Sequence, residues 1–148
     1  MINGIKVVEI QKDRYTVVAA AEDRKGAVEC ELLGFIERCL DEKQYHGAAA
    51  GIFKLIEIFS TDGSNGLTTD QSHFIDQPNK IYQLKKGDLR VLYFYADDKS
   101  IVICSHGFIK STSKADKKQV KKAVNIRKEY LKTKKMDVLE LGNGELTE

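Results

Sequence analysis

Apolar positions along the chain switch between the spacing of strands and the spacing of helices. The runs IKVVEI (5–10) and YTVVAA (15–20) are short and rich in β-branched residues, with the polar QKDR between them. They fit either a hairpin or one interrupted edge strand. From Gly26 to Glu42, Val28, Leu32, Phe35, Ile36 and Cys39 recur at helical spacing. A second helix is expected from Tyr45 to Ser60, with Ala49, Ile52, Phe53, Ile56 and Phe59 on its inner side. Asp62-Gly63 ends it, because glycine turns left-handed without steric cost.

Residues 61–79 are rich in Gly, Ser, Thr, Asp and Asn and hold the only proline, Pro78, so they read as a loop with an apolar anchor at Phe74 and Ile75. Three apolar runs follow, KIYQL, LRVLYFYA and IVICSHGFIK, joined by the short turns KKGD and DDKS. That pattern is an antiparallel meander. At STSKAD a helix begins, with Ser113 as cap and Asp116 in the capping-box position. Its inner stripe is Val120, Ala123, Val124, Arg127 and Leu131, and its outer side is mostly lysine. Residues 136–148 form an acidic tail that either adds a short strand at DVLEL or stays disordered.

The expected fold class is therefore α+β. Two N-terminal helices pack on a small twisted antiparallel sheet, a basic C-terminal helix follows, and the second sheet face is left to water. Residues 1–135 make one domain and 136–148 its tail.

Composition sharpens this. The 148 residues, 42% of them apolar, suffice for one domain with a core. No apolar run approaches the roughly 20 residues that span a bilayer. MINGIKVVEI lacks the blocks of a secretory signal, so a cytoplasmic protein is expected. Cys30 and Cys39, nine residues apart on a helix, would lie about 900° round from one another, on opposite sides. Free buried thiols are expected, with no metal and no cofactor. Charge is segregated. Residues 1–79 hold 8 Lys/Arg against 13 Asp/Glu, residues 80–135 hold 16 against 5, and residues 136–148 hold none against 4. The basic stretch fits a surface for a polyanion or an acidic protein, or else a solvated lysine-rich helix.

Four motifs stand in order: YQLK (82–85), LRVLYFY (89–95), SHGFIKS (105–111) and VKKAVNIRKEYL (120–131). Together they resemble the phage-related, HigB-like branch of the RelE/ParE toxin superfamily, over roughly residues 15–132. The resemblance implies the RelE-like microbial RNase fold and the toxin of a type II toxin–antitoxin system, a metal-independent endonuclease that cuts mRNA on the ribosome. It also implies a cognate antitoxin, of the helix-turn-helix DNA-binding kind, as partner. A ParE-like toxin acting on DNA gyrase, or a non-toxic binding remnant of phage origin, are the rival readings.

Cleavage by 2′-hydroxyl attack needs a base, cations for the crowded phosphorane and an acid for the leaving oxygen. On the resemblance, Lys85 and Arg90 are phosphate clamps, His106 is the acid/base and Lys110 a second cation. Lys86 and the helix lysines Lys114, Lys117, Lys118, Lys121 and Lys122 would contact RNA or ribosome. His46 and His73 read as surface residues. The sequence departs from the family at Gln83 and Ser111, where lysines are usual. Strand register decides His106: a three-residue turn at Asp98 puts it opposite Arg90, whereas a two- or four-residue turn puts Gly107 there and sends His106 to the other side.

Overall fold

A computed structural model describes residues 4–141. Strands β1 (Ile5–Lys12), β2 (Thr16–Arg24) and β3 (Ala27–Cys30) come first, then helices α1 (Glu31–Leu40) and α2 (His46–Asp62). After a 3-10 turn at Gly63–Gly66 come β4 (Ser72–Asp76), β5 (Ile81–Lys86), β6 (Leu89–Tyr95) and β7 (Ile101–Ile109), then α3 (Ser113–Thr133) and β8 (Met136–Val138). The strands join in one sheet, β4-β5-β6-β7-β2-β1-β8, with β3 added to the end of β2. Two of its pairings, β2–β7 and β1–β8, are parallel, so the sheet is mixed.

This overturns the small antiparallel sheet under two N-terminal helices. Strands dominate the N-terminal part, and each misread element has a local cause. β3 lies inside the stretch expected as helix 26–42. Lys25 and Gly26 both take positive φ (55° and 86°), which closes a tight hairpin between β2 and β3. Asp23 Oδ1 accepts the Gly26 N–H at 3.0 Å and fixes that turn. Helix α1 begins only at Glu31, whose carboxylate suits the positive helix start. β4 lies inside the expected loop. Helix α2 does stop where Gly63 takes a φ of 68°.

The second face is not left to water either. Val8, Val17, Ala19, Leu84, Val91 and Tyr93 meet α1 and α2 on one side of the sheet, while Val7, Val18, Leu92, Phe94 and Ile103 meet Ala123 and Tyr130 of α3 on the other. Covered on both sides, β6 is almost continuously buried and its sequence shows no polar alternation. Tyr130 is a packing residue whose hydroxyl accepts the Asp97 N–H at 2.9 Å. The Ser113 cap falls on a side chain outside the described residues; Asp116 Oδ1 accepts the Ser111 N–H at 3.1 Å. Cys30, Cys39 and Cys104 are free and buried. Burial pushes the Cys104 thiol up to about 12. No helix among the described residues is long and apolar enough to cross a membrane.

Candidate functional site

Lys85 of β5 pairs directly with Arg90 of β6, and Arg90 pairs with Phe108 of β7. Alternation along the strands puts all three on the α3 side, and Lys110 emerges on that side two residues past Phe108. The Lys110 N–H donates to the Asp88 carbonyl at 2.7 Å, which carries the ladder on to that position. Lys85, Arg90 and Lys110 are thus brought together.

They differ in freedom. Lys85 is half-buried, its Nζ 3.3 Å from Asp70, in an ion pair of the solvent-exposed kind that contributes little. Lys110 is exposed. Arg90 is only 5% exposed, and its Nη1 donates to the carbonyls of Gly87 (2.7 Å) and Leu89 (3.0 Å). The guanidinium therefore braces the β5–β6 turn. Among the described residues no buried side-chain nitrogen or oxygen lacks a partner, so the remaining Arg90 N–H groups reach the surface.

His106 follows neither expected register. Tyr93 pairs with Cys104 but Leu92 with His106, so Ser105 is an extra residue in a β-bulge. Without it His106 would point toward α1 and α2; with it, the imidazole lies on the side of Arg90. There it is sealed beneath α3, 2% exposed. Nε2–H donates to Gln119 Oε1 at 2.8 Å, and Nδ1 accepts from Ser105 Oγ at 2.7 Å. Burial first, then the Lys122 charge, hold its pKa below the ordinary value despite the Gln119 bond and the Glu31 carboxylate. The ring is neutral, fully engaged and not offered to a substrate. Its neighbour Gly107 has a packing reason: a Cβ there would come within 2.6 Å of the Phe35 ring.

A residue read as mere surface stands closer to the open cations. β4 pairs His73 with Gln83, which places both on the side of Lys85 and Arg90. His73 Nδ1–H donates to the Thr69 carbonyl at 3.0 Å, leaving Nε2 to accept from Gln83 at 3.4 Å. Lys86 faces away from this row: its stem runs so close over Gly51 of α2 that a Cβ there would lie 2.7 Å from Lys86 Cγ. On α3, Lys114, Lys117, Lys118, Lys121 and Lys122 are exposed. Lys122 reaches Glu31 of α1 at 2.5 Å. Lys118 and Lys121 border a shallow groove with Glu22 and Glu129. Among the described residues no three His, Cys, Asp or Glu side chains gather as a metal-binding set.

Residues 38–128, from α1 into α3, match the family described as "Phage derived protein Gp49-like (DUF891)". The chain belongs to this family. No curated protein matches it. The Gp49-like segment contains Lys85, Arg90, His106, Lys110 and His73, whereas β1–β3 and β8 lie outside it.

Why His73 escapes a reading of the Gp49-like sequence is plain: SHFID is short, polar at both ends and set among turn residues. Its only strand signal is the alternation of His73 and Ile75 about Phe74.

Proposed function

We propose that the protein is the toxin of a type II toxin–antitoxin pair and that it cuts mRNA on the ribosome without a metal. The Gp49-like family stands with the RelE/HigB-like toxins, which supports the toxin reading. The observation that carries the nuclease reading is the pairing of Lys85 with Arg90 on neighbouring strands, with Lys110 on the same side. In this reading Lys85 and the free Arg90 N–H groups hold the scissile phosphate and Lys110 is a second cation. The ribose 2′-oxygen attacks phosphorus, the bond to the 5′-oxygen breaks, and the products end in a 2′,3′-cyclic phosphate and a 5′-hydroxyl. Proton transfer falls to a group other than His106, and His73 is the half-buried imidazole on that side. The exposed lysines of α3 would meet ribosomal RNA, and an antitoxin would neutralise the same basic surface with acidic side chains.

Induced expression of the intact chain, followed by labelled-methionine incorporation and mapping of mRNA 3′ ends, tests this. Translation should stop and fragments with cyclic phosphate ends should accumulate. Lys85→Ala should abolish both, and is a cleaner probe than Arg90→Ala, which also unties a turn. Normal translation under strong expression of folded protein would reject the reading. DNA damage with intact mRNA would point to gyrase instead.

A further inference from the structure

Arg127 lies on the inner stripe of α3, four residues after Ala123 and three before Tyr130, both of them buried. Neighbours so placed hold a side chain toward the sheet, and Arg127 is half-buried. A guanidinium in that position ordinarily answers a carboxylate, because taking charge out of water is costly. Arg127 answers none: among the described residues it makes neither an ion pair nor a hydrogen bond. No buried side-chain nitrogen lacks a partner there, so its donors are within reach of water. They border a cavity of about 150 Å³.

Two more cations line this cavity from different elements. Lys80 closes the turn between β4 and β5 with a φ of 55°, and Lys99 belongs to the turn between β6 and β7. Both are exposed, and neither has a carboxylate partner among the described residues. The Lys99 Nζ stands 5.7 Å from the centre of the ring of Tyr95, which also lines the cavity. The one carboxylate on the wall is Asp97, and Lys134 already answers it at 3.3 Å. The positive charge of the wall is therefore unopposed.

Charge and size select the ligand. A carboxylate brings one charge in one plane. A phosphate brings up to two, with oxygens in several directions, and a guanidinium pairs with two of them at once. The volume is well below the roughly 300 Å³ at which pockets for drug-sized molecules begin, so it takes one small group without a base.

We propose that this cavity is a phosphate-binding site, with Arg127 as its bidentate anchor and Lys80 and Lys99 as further cations on its wall. It lies where β5 begins and β6 ends, whereas Lys85 and Arg90 pair where β5 ends and β6 begins. The site is thus separate from the Lys85 row and does not depend on the nuclease reading. Two sources share the chemistry, a free phosphate monoester and the backbone of an RNA strand, and the test separates them.

Amide NMR spectra of the intact nitrogen-15-labelled protein, titrated at constant ionic strength, read the site locally. Inorganic phosphate and uridine 5′-monophosphate should move the amides of Lys80, Lys99 and Arg127 in a saturable way. Movement by these two alone marks a monoester site. Stronger movement by a ten-nucleotide oligouridylate with hydroxyls at both ends marks the RNA backbone. Arg127→Gln should weaken binding by about 10- to 100-fold, and Arg127→Lys should recover part of that. Lys99→Ala, on an exposed turn, should weaken it by about 2- to 5-fold. Equal movement with sodium acetate would make this a carboxylate site and reject the proposal. Absence of saturable movement at these amides in folded protein would overturn it, as would unchanged affinity in both Arg127→Gln and Lys99→Ala. Shifts confined to the amides of Lys85 and Lys110 would also overturn it, while supporting the phosphate clamp of the nuclease reading.

Discussion

The α3 side of the sheet has an open end and a closed middle, and they use similar side chains to opposite purposes. At the open end Lys85 and Lys110 reach solvent, and His73 is half-buried beside Gln83. In the closed middle His106 lies under α3 with both ring nitrogens taken, one of them by Gln119 of that helix. Arg90 stands at the boundary, one edge of its guanidinium spent on a turn. Residue type proposes chemistry; cover decides it. An imidazole that is desolvated and already bonded contributes stability, whereas a lysine with a single exposed partner keeps its charge available.

The contrast is sharpest in the response to truncation. His106→Ala should cost about 3 kcal/mol, because it leaves a cavity and strands Ser105 and Gln119 together. Urea unfolding measures it, and a cost below about 1 kcal/mol would place the ring outside the core. The same residue gives a pH signature. Since burial holds the folded His106 below its ordinary 6.5, the unfolded chain takes up the proton first on acidification. Its contribution is therefore complete above that value and is lost as pH falls below it, until the folded ring protonates as well. His106→Gln should remove this part of the pH dependence, seen as a smaller difference in urea midpoint between neutral and mildly acidic buffer.

Arg90→Ala should cost about 1–3 kcal/mol by releasing the Gly87 and Leu89 carbonyls, and should lose translation arrest as well. Arg90→Lys, which keeps the charge without the fork, should recover neither fully. Lys85→Ala should change stability by no more than about 0.5 kcal/mol and still abolish arrest. If Lys85→Ala unfolds the protein while His106→Ala leaves it intact, the open and closed regions have been assigned the wrong way round.

How much of this the sequence discloses depends on whether cause and effect are neighbours. Helix α2 with its Gly63 stop, the three-stranded meander and the lysine-rich helix are all visible, because periodicity and turn residues act locally. The pairing of Lys85 with Arg90 follows from the short turn between them. The mixed sheet is not visible: β2 with β7 and β1 with β8 are partners separated by most of the chain, and no local pattern announces a parallel neighbour. β3 was hidden because Val28 fits a helical stripe continuing into Leu32 as well as it fits a strand. The bulge at Ser105 was hidden for a different reason. One extra residue in a strand leaves no mark on composition, yet it decides which side His106 faces. The covered second face could have been suspected from β6, whose unbroken apolar character is the mark of a strand with no wet side.

The parallel pairing of β1 with β8 joins residues 5–7 to residues 136–138. During synthesis the first hairpin must therefore stand with both rims bare, since β7 and β8 supply the strands that close them. At ordinary elongation speeds the stretch from the end of β2 to the end of β8 takes roughly 6 to 23 seconds. The nascent chain carries ready-made templates for mispairing throughout it, so the time a ribosome takes to reach the last strand becomes part of this molecule's folding problem.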